Sequence, residues 1–192
     1  MDDQKPSPDH IAALVHQGLR ERQFDVLGAM ANVDPRALQE LVAVTRAGQG
    51  TASLLVATAL SKAGEPAVAP LIEALQDEPI IVRQGAAMAL GEIGDPRALE
   101  ALAARLEDES HLVRQVAAIA LGKLGAVEAL APLLRALDDE SEIVRRAAVN
   151  ALGMLGDPRA LPALERLVVE DVAAVAERAR TAIQEIEARG AA

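Results

Sequence analysis

DPRALEALAARLEDESHLVRQVAAIALGKLG, residues 95–125, aligns with AVEALAPLLRALDDESEIVRRAAVNALGMLG, residues 126–156, without a gap over 31 residues. GEPAVAPLIEALQDEPIIVRQGAAMALGEIG, residues 64–94, fits the same template with its first turn one residue short. A fourth copy starts at Asp157 and decays near Ala176. A fixed period of this size denotes stacked supersecondary units, each too small to bury its apolar face alone.

Each unit reads as two helices. Leu99, Leu102 and Leu106 fall at i, i+3 and i+7, and so do Leu130, Leu133 and Leu137. Val68, Leu71 and Leu75 repeat that spacing, as do Leu161, Leu164 and Val168. The spacing marks one helical face. The second helix of each unit gathers Val82, Ala86, Ala89, Leu90 and Ile93, then Val113, Ala117, Ala120, Leu121 and Leu124, then Val144, Ala148, Ala151, Leu152 and Leu155. At about 100° per residue these share one side, and the alanines let neighbouring helices come close. The pattern predicts an all-α fold, a right-handed α-solenoid (alpha-alpha superhelix) of stacked helix pairs.

The helix ends are marked as well. Gly94, Gly125 and Gly156 follow the last apolar residue, where a left-handed C-cap belongs. Asp95-Pro96 and Asp157-Pro158 fit a cap followed by proline at the first helical position. The acidic turns Asp77-Glu78, Asp108-Glu109-Ser110 and Asp139-Glu140-Ser141 precede the second helices, where the macrodipole favours negative charge. Pro70, Pro132 and Pro162 lie about one turn into the first helix and predict a kink there.

Asp77 recurs with Arg83, Asp108 with Arg114, and Asp139 with Arg145, always at the same spacing. Stacking would set the six side chains in two columns and form a charged ladder between neighbouring units. If exposed, each pair is worth about 0–1 kcal/mol, and its main service is to fix the register. A residue pair carried by every repeat is a poor candidate for catalysis.

The pattern D-x-x-x-x-V-R-x-x-A-A-x-A-L-G-x-[IL]-G is similar to the short HEAT-like repeat of phycobilin-lyase subunits, the PBS lyase HEAT-like repeat family. Asp108, Val113, Arg114, Ala117, Ala118, Ala120, Leu121, Gly122, Leu124 and Gly125 carry it, and residues 77–94 and 139–156 repeat it. The resemblance implies an armadillo-like helical array and says little of function, since this repeat serves scaffolds, lyases and hydroxylases. Deoxyhypusine hydroxylase, a family with such repeats, binds two irons through His-Glu pairs. Here no His is followed by Glu, so those metal residues do not carry over.

The expected organisation is a disordered tail over 1–9 and one array over 10–192. Within it, 10–63 are degenerate N-terminal capping units, 64–156 three regular repeats and 157–188 a C-terminal capping unit. In the first of these, Phe24, Leu27 and Met30 are expected to face inward, and Gly48–Thr51 replaces the acidic turn. Glu177, Arg178, Arg180, Gln184 and Glu187 make the last helix polar, as a terminal unit requires. Residues 189–192 are expected to be disordered.

Composition narrows the function classes. The 29 acidic against 19 basic residues give a net charge of −10, which opposes a phosphate backbone. With Phe24 as the only aromatic residue, base stacking has little to work with. No apolar run approaches a membrane span, and MDDQKPSPDH carries no signal-peptide core, so a cytoplasmic location is expected. Without cysteine there is no disulfide and no thiolate ligand or nucleophile. His10, His16 and His111 are scattered and are expected to be solvated, and Gly48–Gly50 lacks a phosphate-loop context. No catalytic residue, metal ligand or cofactor is assigned.

Second helices of such arrays usually line the concave side. Opposite the buried stripe each presents four positions: Gln84, Ala87, Met88 and Gly91; Gln115, Ala118, Ile119 and Gly122; Arg146, Val149, Asn150 and Gly153. The glycines either flatten a groove floor or permit tight packing. Gln84, Met88, Gln115, Ile119, Arg146 and Asn150 form the candidate strip, apolar in the middle and edged by amides and an arginine. Such a strip suits a helix or extended peptide of a protein partner. The expectation is therefore a non-enzymatic scaffold or adaptor for protein–protein interaction. A subunit of a bilin lyase acting on a phycobiliprotein is the alternative, and homo-oligomerisation a third possibility.

Overall fold

The computed structural model describes residues 7–46 and 51–190, and every regular element among them is helical. Among the described residues twelve α-helices follow one another: α1 (Pro8–Arg20), α2 (Phe24–Val33), α3 (Pro35–Arg46), α4 (Thr51–Ala63), α5 (Val68–Ala74), α6 (Ile80–Ile93), α7 (Leu99–Ala104), α8 (His111–Leu124), α9 (Leu130–Ala136), α10 (Glu142–Leu155), α11 (Leu161–Glu170) and α12 (Ala173–Gly190). The fold is an all-α solenoid of helix pairs. The helices gather into two compact units, Met1–Ile93 and Gly94–Ala192.

In the first unit α2, α4 and α6 pack in series, and α3 and α5 pack against the pairs they open. Leu27, Leu41, Leu60, Leu71, Leu75 and Leu90 are fully buried between the two rows. Of the inward positions expected on α2, Leu27 is buried, whereas Phe24 and Met30 are half-buried. In the second unit α8, α10 and α12 form the row of second helices, and α7, α9 and α11 lie on their backs. Leu102, Leu121, Leu133, Leu137, Leu152 and Leu164 fill that core. Truncating one such leucine to alanine removes about 2–5 kcal/mol.

Gly94, Gly125 and Gly156 have φ of 71°, 67° and 73°, the left-handed conformation the repeat pattern required. The Gly125 N–H donates to the Leu121 carbonyl and the Gly156 N–H to that of Leu152. The following first helices do not begin as smooth α-helix. Each starts with a 3-10 turn, at Glu65–Ala67, Pro96–Ala98, Val127–Ala129 and Pro158–Ala160, and then becomes α-helical. Pro70, Pro132 and Pro162 therefore sit in the first turn of the α-helix, where their missing N–H costs little. The kink expected from them is this 3-10 to α junction, and proline is not its cause. Ala101 stands where Pro132 does, yet α7 is entered through the same 3-10 turn.

Near both ends, described residues for which disorder was expected are helical. The tail predicted over 1–9 gives way to helix at Pro8, because Ser7 Oγ accepts the His10 N–H and caps α1. Arg189 and Gly190 complete α12, and Arg189 Nη1 donates to the Met154 carbonyl at 2.7 Å. Residues 1–6 and 191–192 lie outside the described residues, as do Gly48, Gln49 and Gly50 of the expected turn. Thr51 opens α4. On α12, Arg180 and Gln184 stand exposed where α10 buries Val149 and Gly153, so the outer face of the last helix is polar.

Candidate functional site

The six strip candidates divide between the units: Gln84 and Met88 on α6, and Gln115, Ile119, Arg146 and Asn150 on α8 and α10. All are at least partly accessible, with Arg146 exposed and the other five half-buried. The remaining positions of the predicted arc are closed. Ala87, Ala118 and Val149 are buried, and so are Gly91, Gly122 and Gly153. In the second unit α10 has second helices on both flanks, α8 and α12, which narrows its open arc. The glycines permit tight packing. A Cβ on Gly122 would stand 2.7 Å from Ala151 Cα, and one on Gly153 would meet Glu185 Oε2 at 2.6 Å.

Met88 lines an open groove of about 310 Å³ between α4 and α6. Ala57, Thr58, Ser61 and Lys62 form one wall, and Ala89 and Glu92 accompany Met88 on the other. The groove exists because the facing residues of α4 are small, leaving space beside a long thioether. Ser61 Oγ donates to the Thr58 carbonyl at 2.8 Å, and Lys62 reaches Asp25 on α2 at 3.5 Å. The apolar floor is thus edged by hydroxyls and one charge of each sign. The sequence pattern picked out Met88 but not its opposite wall, because the degenerate unit over 33–63 breaks the repeat register.

In the second unit the open face of α8 and α10 carries Gln115, Ile119, Arg146 and Asn150 in two columns. Asn150 is not free: its Oδ1 accepts from Arg178 Nε on α12, and Arg178 also pairs with Glu185 at 3.1 Å. Met154, 44% exposed, adds an apolar side chain that the pattern missed. Its Sδ lies 3.4 Å from where a Cβ on Gly122 would stand, so it fills space opened by that glycine.

The ladder residues take a staggered arrangement. Arg114 Nε and Nη2 grip the carboxylate of Asp139 at 2.7 and 2.9 Å, one repeat further on. Its Nη1 donates to the backbone carbonyls of Asp108 and Glu109, in its own repeat. Arg145 repeats this, holding Asp171 at 2.6 and 2.7 Å and the carbonyls of Asp139 and Glu140. Arg83 Nη1 likewise donates to the carbonyls of Asp77 and Glu78. Each arginine therefore takes its own aspartate's carbonyl and, for Arg114 and Arg145, the next repeat's carboxylate. These pairs are not the exposed ones expected: the Arg114 and Asp139 side chains are each 9% accessible.

Burial opposes the charged form of Asp139, but hydrogen bonds from Arg114 and the Ser141 N–H, with the charges of Arg114 and Arg145, outweigh it and hold its carboxyl below the usual range. The hydrogen bonds from Arg145 do the same for Asp171. The acidic turns cap their own backbone too, since Asp108 and Asp139 accept the N–H of Ser110 and Ser141. At the other edge the Asp-Pro-Arg turns close on themselves. Asp95 accepts both the Arg97 N–H and its guanidinium, which lowers its carboxyl to about 2. Asp34 with Arg36 and Asp157 with Arg159 are built alike.

All three histidines are exposed, and His16 contacts Glu40 at 3.0 Å. Among the described residues no group of three or more His, Asp or Glu is placed to hold a metal ion. No helix among them is long and apolar enough to cross a membrane.

A family model described as HEAT repeats matches residues 38–121 and again 100–184. Among curated proteins no sequence match is found. Among solved structures, the chain is similar to one in the complex of CpcE and CpcF of phycocyanin lyase from Nostoc sp. PCC7120. The two share 29% identity with a TM-score of 0.71, over 78% of this chain and 99% of that one. It is also similar to a designed armadillo repeat protein in complex with the peptide (KR)4, at 21% identity and TM-score 0.62, over 95% of this chain and all of that one. Human deoxyhypusine hydroxylase is similar at 24% identity and TM-score 0.57, over 97% of this chain and 82% of that one. The last two likenesses concern the fold alone.

Proposed function

This chain belongs to the HEAT repeat family, and from that premise we propose that it is a non-enzymatic scaffold that binds another protein through the open faces of the second helices in each unit. The observation that carries this reading is the groove beside Met88, an apolar floor with a polar rim between α4 and α6. Ile119 and Met154 supply the corresponding apolar surface on α8 and α10. A side chain entering such a groove gains apolar burial, while the rim satisfies its backbone.

The test is capture from a native extract by tagged wild type beside a Met88→Glu, Ile119→Glu variant, with the helical content of both checked by circular dichroism. A protein held by the wild type and lost by the folded variant supports the reading. Identical catches from both overturn it.

A second reading is a subunit of a phycobilin lyase, favoured by the likeness to a chain of the phycocyanin lyase complex. It predicts a change in absorbance when the protein is mixed with a bilin and a phycobiliprotein. An unchanged spectrum, with or without a second lyase subunit, removes it.

A further inference from the structure

Arginines of the second unit are almost all engaged. Arg97, Arg159, Arg114, Arg145, Arg166 and Arg180 each grip a carboxylate. Arg135 on α9 and Arg146 on α10 are exposed and make no side-chain hydrogen bond or ion pair among the described residues; of the two, Arg146 lies on the open face of the second helices. Two acids are within reach by position but do not close on it. Glu142 lies one turn earlier on the same helix, and Glu177, at the equivalent position of α12, pairs with Arg180 at 2.9 Å.

Its neighbours on that face are donors and apolar groups. Asn150, one turn on and half-buried, has its oxygen occupied by Arg178, which leaves its amide N–H groups as the donors it can offer. The charge of Arg178 is balanced by Glu185. Gln115 stands in the column of Arg146 one repeat earlier, and Ile119 in the column of Asn150. Met154 lies against Gly122 in the crease between α8 and α10. The face therefore offers a guanidinium, amide donors and two apolar side chains.

We propose that the crease between α8 and α10 takes a protein segment carrying a carboxylate beside an apolar side chain, the carboxylate on Arg146 and the apolar group against Ile119 and Met154. A guanidinium holds a carboxylate through two parallel hydrogen bonds, which fixes orientation as well as charge. The net charge of the whole chain opposes an acidic partner at long range. The match is therefore local, and the carboxylate on the segment should be one or two residues, not a long acidic run. The inference rests on the reading of the second-helix face as the binding surface, and it names the chemistry of what binds there.

The experiment is selection of a random short-peptide library on the full chain, with enriched peptides then measured by fluorescence anisotropy against wild type, Arg146→Glu, Arg146→Lys and Ile119→Glu. The expected result is enrichment of Asp or Glu next to Leu, Ile, Met or Val. Affinity should fall about tenfold or more in Arg146→Glu and less in Arg146→Lys. Neutral or basic peptides, or peptides indifferent to Arg146→Glu, overturn the proposal. If such peptides still lose affinity in Ile119→Glu, the surface stands and only its acidic preference fails. If neither Arg146→Glu nor Ile119→Glu matters, or if nothing is enriched, the proposal fails. Arg146 is exposed, so its variants should fold; circular dichroism of each confirms that a lost affinity is not lost structure.

Discussion

Arg114 Nε lies 2.7 Å from Asp139 Oδ2, and the two residues are one repeat apart. The same Asp139 offers its backbone carbonyl to Arg145 at 2.9 Å. One aspartate thus receives the arginine of the preceding repeat on its side chain and that of its own repeat on its main chain. Arg145 passes the arrangement to Asp171. Register between α8, α10 and the turn before α12 is fixed by this chain of contacts.

Arg114→Ala should lower the stability to urea by about 2–4 kcal/mol, because it leaves a mostly buried carboxylate without its partner. Glu140 also contacts Arg114, at 3.3 Å, but its side chain is 88% exposed. Glu140→Ala should cost about 0–1 kcal/mol. Equal losses in the two variants would contradict the staggered ladder.

Acid should weaken the fold in a defined window. Asp95, Asp139, Asp157 and Asp171 all have folded carboxyls below the ordinary aspartate range, Asp95 at about 2. The unfolded chain therefore takes up protons first as pH falls. The contribution of these groups is complete above the unfolded value of about 4 and is lost as pH drops through the folded values. Urea midpoints measured from pH 6 to pH 2 should stay level to about pH 4–5 and then decline. Asp95→Asn and Asp139→Asn variants should show a shallower decline; a slope unchanged by both would refute the assignment.

Gly122→Ala tests the close approach of α8 and α10. The added Cβ meets Ala151 Cα at 2.7 Å, so the helices must separate. Overpacking of this kind costs about 1–3 kcal/mol. Thermal unfolding should detect it. Stability equal to wild type would show that the helices are less closely packed than described.

Most of the fold was legible in the sequence because a solenoid writes the same instructions repeatedly. Leu102 and Leu133, or Leu121 and Leu152, are buried alike for the same reason. Two features were not legible. Pro70 and Pro132 suggested a kink of their own making, whereas α7 makes the same junction with Ala101. The cause is the tight turn that follows each left-handed glycine, a property of the backbone path that no side chain advertises. The spacing of Asp and Arg could not tell which repeat's carboxylate an arginine takes, since Asp108 and Asp139 differ by one period. Only the stacking places Asp139 beside Arg114.

The candidate surface was half legible. Met88 and Ile119, placed off the main buried stripe, are half-buried, and Arg146 is exposed. Ala87, Ala118 and Val149 were placed on the same arc and are buried; for Val149 the neighbours α8 and α12 close both flanks of α10. Arg178 over Asn150, and Thr58, Ser61 and Lys62 across from Met88, come from helices whose sequences have left the repeat pattern.

The measurement that bears most directly on the central claim is the affinity of the captured partner for wild type, Met88→Glu, Ile119→Glu and Val169→Glu. Val169 is 83% exposed on α11, in the row of first helices. Binding through the second helices predicts at least about a tenfold loss of affinity in Met88→Glu or Ile119→Glu and none in Val169→Glu. Loss in Val169→Glu, with the other two unchanged, would contradict it and move the binding surface to the first helices.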